Sequence, residues 1–135
     1  MPKQSGLGMS VLSVDDAAGV VRAIKNDITS FDLATPRGVQ DVTGVDKSAI
    51  ERLLLLADAS VSLKGVFNPT ANQSHDVFKT IPSTSVARTT TLTVGGVTLA
   101  FEALYTDYPL KRAQSGELTF DAPGVLADGS VPVWA

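Results

Sequence analysis

Arg88-Thr-Thr-Thr-Leu-Thr-Val-Gly95-Gly96-Val-Thr-Leu-Ala-Phe-Glu-Ala-Leu-Tyr105 is the stretch on which the fold class turns. Two runs rich in β-branched residues flank a Gly-Gly pair. Both glycines can take positive φ without a Cβ clash, so the segment predicts a tight hairpin. A two-residue turn fixes the register, with Val94 facing Val97, Leu92 facing Leu99 and Thr90 facing Phe101. One face then carries Leu92, Val94, Val97, Leu99, Phe101 and Ala103; the other carries Thr89, Thr91, Thr93, Thr98, Ala100 and Glu102. The first face is expected to be core. The second is small, polar and nearly uncharged.

Outward from this hairpin, Gly and Pro punctuate short apolar segments of Val, Thr, Leu and Phe, which predicts a mostly β domain. Further strands are expected at about residues 7–14, 20–25, 28–33 and 116–122. Asn68 to Pro82 predicts the one helix, over about 70–81. Thr70 and Gln73 make a capping box, Pro82 is a stop, and Ala71, Ser74, Val77, Phe78 and Ile81 share one side. Ser48 to Leu56 reads two ways. As a helix it has Ser48 and Glu51 as a capping box and a stripe of Ile50, Leu53, Leu54 and Ala57. As a strand it joins, through Ala57-Asp58-Ala59-Ser60, the run Val61 to Phe67. The strand is preferred because the second run alternates and needs a partner. Residues 34–47 have no period and read as a long loop of the kind that carries function or interaction.

The 135 residues suit one domain from end to end. The absence of cysteine rules out disulfide scaffolds, thiol catalysis, iron–sulfur clusters and the common zinc sites, and a single histidine rules out a histidine-built metal site. Eleven Lys and Arg stand against 14 Asp and Glu, a net charge of −3, and the basic residues are scattered apart from Lys111 and Arg112. That pattern argues against tight binding to a phosphate backbone, which needs a clustered basic footprint. The longest apolar stretch, Leu53 to Ala57, falls far short of the ~20 residues of a membrane span, and the start lacks a signal peptide's apolar stretch. A soluble intracellular product without membrane insertion is expected.

No constellation nominates a catalytic, cofactor-binding or metal-binding residue. Ser74-His75-Asp76 holds the residue types of a hydrolytic triad, but consecutive helical residues point about 100° apart and cannot converge. A solvated helix face, with His75 near Asn72 and Lys79, is the expected reading. Asp15-Asp16-Ala-Ala-Gly19 is a hairpin loop by its turn chemistry. The scattered acids Asp27, Asp32, Asp41 and Asp46 lack the alternating spacing of a calcium loop. Gly95-Gly96 and Gly6-Leu-Gly8 do not extend to a phosphate-binding motif.

Six stretches, Ile28-Thr-Ser-Phe-Asp32, Asp41-Val-Thr43, Ser62-Leu-Lys-Gly-Val-Phe-Asn68, Ser74-His-Asp-Val-Phe78, Thr106-Asp-Tyr-Pro-Leu-Lys111 and Asp128-Gly-Ser-Val-Pro-Val-Trp134, read together in order along most of the chain. They resemble the tail tube protein (major tail protein) of long non-contractile-tailed phages, the siphophages. Leu53 to Leu56 departs from that likeness by being more apolar than a peripheral strand.

The resemblance implies a mainly β, single-domain β-sandwich or barrel with one flanking helix. It implies a structural virion protein, not an enzyme and without cofactor, assembled in the host cytoplasm into hexameric rings that stack as the tail tube. DNA would pass through the lumen without specific binding, as suits a net acidic chain. Partners would be further copies of the chain, a tape-measure protein inside the tube, a tail terminator and a distal tail protein. Assembly is expected to use the 34–47 loop and the N- and C-terminal arms. Pro36, Val39, Val42 and Val45 have no evident place in the monomer's core, and Trp134, the only tryptophan, must dock on its own domain or at a subunit boundary. Two other readings stand beside this one. The first is a related ring former: a terminator, a head–tail connector or a secretion-system tube. The second is a small β ligand-binding module or enzyme, which would need a concave polar pocket with perturbed acids.

Overall fold

In a computed structural model describing residues 3–135, the chain forms β1 (Val11–Asp15), β2 (Val21–Ala23), β3 (Ile28–Ala34), β4 (Arg37–Asp41), β5 (Arg52–Ala57), β6 (Ser60–Val66), α1 (Ser74–Phe78), β7 (Arg88–Val94), β8 (Val97–Tyr105), β9 (Leu110–Arg112) and β10 (Leu118–Leu126). Eight strands make one antiparallel sheet, in the order β2-β1-β7-β8-β10-β6-β3 with β9 added to β10. The strands β4 and β5 form a separate two-stranded sheet.

The Gly95-Gly96 turn takes φ of +58° and +84°. It sets β7 against β8 in the expected register, with Val94, Leu92 and Thr90 opposite Val97, Leu99 and Phe101. Leu92, Leu99, Phe101 and Ala103 are buried, whereas Val97, at the hairpin tip, is exposed. The strands β8 and β10 share three paired positions, Tyr105 to Ala103 against Gly124 to Leu126. Beyond them the sheet folds over, and its two halves meet in one core. Leu12, Val14, Leu92 and Leu99 come from one half and Val61, Leu63, Phe120 and Ala122 from the other, the sandwich arrangement expected. The β1–β2 turn is the predicted hairpin loop: Asp16 Oδ1 accepts from the amides of Ala18 (2.9 Å) and Val20 (3.0 Å).

The helix is shorter than the 70–81 expected. The Thr70–Gln73 box does not form; Gln73 makes no side-chain capping bond, and Asn72 sits at φ 66°. The cap comes from Asp27 instead, whose Oδ2 accepts from Ser74 N at 3.0 Å while its Oδ1 accepts from Asn68 Nδ2 at 2.8 Å. This satisfies a helix-end donor from 47 residues away. The stripe survives in part, since Ser74, Val77 and Phe78 are buried while Ala71 is exposed. Phe78 lies between Tyr105 and Phe120, with ring centroids 5.3 and 5.7 Å away. Gly65 lets β6 pass this region, because a Cβ there would run into the Asp27 carbonyl and lie 3.0 Å from the Phe120 ring.

Two further expectations are corrected. The strand chosen for Ser48–Leu56 is present as β5, but its partner is not the Val61 run: β6 pairs with β3 and β10. Nor are residues 34–47 a loop throughout, because they contain β4, which pairs with β5.

Candidate functional site

The strands β4 and β5 form a ribbon that begins and ends at the sandwich. At its root Asp58 N donates to Pro36 O (3.0 Å), and Arg37 Nε donates to Leu55 O (2.9 Å). Val39 then opposes Leu54, Gln40 opposes Leu53 and Asp41 opposes Arg52. Near the tip Val42 N donates to Glu51 O (2.9 Å) and Lys47 N to Gly44 O (3.1 Å). The Thr43 hydroxyl accepts from Glu51 N (2.7 Å) and donates to Asp41 Oδ1 (2.6 Å). That hydroxyl, joined by the Thr43 amide, holds the Asp41 carboxyl below its ordinary pKa.

Successive strand residues point to opposite faces, so the run Leu53-Leu54-Leu55-Leu56 makes both faces of the ribbon apolar. All four leucines are exposed, at 55, 59, 44 and 90 %. Val39, Val45 and Ile50 are exposed with them. A two-stranded ribbon is marginal alone, and the leucines on both of its faces lie outside the monomer's core. Of the residues predicted for an interface, Pro36, Val39, Val42 and Val45 are brought together here, from root to tip. The sequence reading placed Leu53 to Leu56 against the Val61 run, and the structure leaves them exposed. The available signal was four consecutive leucines without alternation, in a chain with one core.

Trp134 lies apart from the ribbon's strands. It bridges Leu99 on β8, and Ala135 exchanges two 2.9 Å backbone hydrogen bonds with Thr98. The terminus thus docks on its own domain, with the indole half exposed. The segment leading to it passes the ribbon's root, where Val131 joins Arg37, Leu54, Leu55, Leu56 and Ala57 around an apolar concavity of about 670 Å³.

The triad-like residues do not converge. Ser74 is tied through its amide to Asp27, and Asp76 binds Asn72 N (2.7 Å) and Lys79 Nζ (2.9 Å). His75 is not on a solvated face as expected. Its ring lies 4.8 Å from that of Phe67, and its Nδ1 is 3.2 Å from the Tyr108 hydroxyl. Burial, reinforced by the charge of Asp27, pushes Tyr108 up to about 12. Among the described residues no group of three or more His, Cys, Asp or Glu could hold a metal ion, and no helix is long and apolar enough to cross a membrane.

This fold is shared with chains of solved gene transfer agent particles. A chain from the tail of an empty gene transfer agent particle, refined with C6 symmetry, superposes with a TM-score of 0.74 at 16% identity over 98% of both chains. A chain from the virion of a native gene transfer agent particle superposes with a TM-score of 0.71 at 16% identity, over 98% of this chain and 99% of that one. No protein-family model matches the sequence, and no curated protein matches it.

Proposed function

We propose that this chain is a structural subunit of a phage or phage-like tail, and that it assembles into hexameric rings stacked as a tail tube. The observation that carries the reading is the ribbon, leucine-bearing on both faces and exposed, on a sandwich whose fold recurs in a tail refined with C6 symmetry. Burying such surface between copies removes it from water, which is the principal drive for association. The interface comprises Pro36, Val39, Val42, Val45 and Leu53 to Leu56, with Trp134 contributing at a second boundary. The tube conducts DNA during ejection. A net charge of −3 without a basic cluster keeps the wall from gripping the duplex, because it offers few sites for counterion release. Its place is the virion tail, assembled in the host cytoplasm around a tape-measure protein, between a terminator and a distal tail protein. The role is not enzymatic.

Negative-stain imaging of the concentrated, purified chain tests this reading. Rings or stacked cylinders with a central hole are expected; a particle that stays monomeric at every concentration refutes it.

A further inference from the structure

The ribbon carries two apolar features of opposite shape. Its tip is a knob, with Val45 fully exposed and Ile50 60 % exposed. Its root is a hollow, lined by Leu54, Leu55, Leu56 and Val131 and rimmed by Arg37. Val45 sits in the turn beyond the end of β4, at the opposite end of the ribbon from Arg37, so a copy's knob cannot fill its own hollow.

Charge follows the same division. The Asp46 side chain, beside Val45, is 75% exposed, and its one ion pair among the described residues is a long contact with Lys47 (3.7 Å). At the hollow, Arg37 uses Nε on Leu55 O, and its two terminal nitrogens make no hydrogen bond among the described residues. An acid thus borders the knob, and a guanidinium with free donors borders the hollow.

The two features are both apolar and both exposed: Val45 and Ile50 at the tip, Leu54, Leu55, Leu56 and Val131 at the root. Seating one in the other removes both from water.

We infer that the ribbon tip of one copy seats in the ribbon-root hollow of the next, with Val45 in the hollow and Asp46 paired to Arg37 at its rim. This deepens the tube reading and rests on it. Knob and hollow are different surfaces, so the contact is head-to-tail and propagates from copy to copy.

The test uses two charge reversals, Asp46→Lys and Arg37→Glu, in the full chain. Asp46 is on an exposed tip, so its variant keeps the wild-type fold by circular dichroism even if Arg37→Glu loosens the root. Each variant alone places like charges at every contact, which raises the concentration needed for assembly by about tenfold or more. An equimolar mixture of the two recovers wild-type assembly in alternating order. There the reversed, basic knob of the Asp46→Lys copy meets the reversed, acidic hollow of the Arg37→Glu copy, and the unaltered Asp46 knob of the second meets the unaltered Arg37 hollow of the first. The double variant Asp46→Lys/Arg37→Glu also recovers it. Asp46→Lys assembling like wild type, or a mixture of folded variants that stays dispersed, overturns the knob-and-hollow contact and leaves the tube reading standing. Failure of the wild-type chain to assemble overturns both.

Discussion

Leu56→Thr separates the monomer's stability from its assembly. Leu56 is 90 % exposed at the ribbon's root, and the β-branched side chain of threonine suits a strand. The monomer therefore loses almost no burial, and its unfolding free energy should move by less than about 0.5 kcal/mol. In the proposed assembly the same side chain is buried between copies. Removing a leucine whose exposed surface is nearly complete should cost about 2 kcal/mol per contact, within the ~1.5–3 kcal/mol of a fully buried side chain. Two kcal/mol is roughly a thirtyfold change in an association constant. The pelletable fraction, measured by sedimentation across a dilution series, should show the assembly threshold rising about thirtyfold while the urea midpoint of the monomer holds. An unchanged threshold would show that Leu56 stays in water after assembly and would refute the reasoning.

Other outcomes follow from the same geometry. Phe101→Ala, at a core position 6% exposed, should cost about 2–5 kcal/mol in urea unfolding, whereas Thr91→Ala on the opposite face should cost under about 1 kcal/mol; equal costs would contradict the register. Replacing Arg37–Ala57 by a short Gly-Ser turn should leave a folded monomer that never assembles, since Asp58 N and Pro36 O already meet at 3.0 Å; loss of the monomer's cooperative melt would show the ribbon to be part of its core. Trp134→Ala should lower the melting temperature, because the indole is half buried on its own domain, and should also raise the assembly threshold; an unaltered threshold removes the indole from the interface. Asp41 should titrate below 3.8, because bonds from Thr43 favour its charged form. Its folded pKa being depressed, those bonds stabilise the tip above the unfolded value and are lost as pH falls through the folded one. Thr43→Val should return the NMR midpoint toward 3.8; a midpoint that does not move rules out that cause.

The parts of this fold that were legible in the sequence are those whose information is local. The hairpin from Arg88 to Tyr105 announces its turn through two glycines and its inner face through Leu92, Leu99 and Phe101, because a two-residue turn leaves one register. The helix was legible in its buried stripe but not in its length, since the cap is supplied by Asp27 from a distant turn. The strand β4 was illegible because both its faces are exposed. Burial imprints the alternating pattern by which a strand is recognised, and Arg37-Gly-Val-Gln-Asp41 carries none. The same cause misdirected the pairing of Leu53 to Leu56: a leucine run normally points to a core inside the chain, and here none receives it. Pro36, Val39, Val42 and Val45 were located as a group through their lack of a core position, without the strand that joins them. Trp134 docks through backbone bonds, which its side chain does not advertise.

A helical reconstruction of tubes grown from the purified chain, fine enough to trace β4 and β5, tests the central claim most directly. Sixfold rings are expected in which every ribbon is packed between copies, with Leu53 to Leu56 facing neither solvent nor the lumen. Tubes whose ribbons project freely, with those leucines still in water, would contradict it.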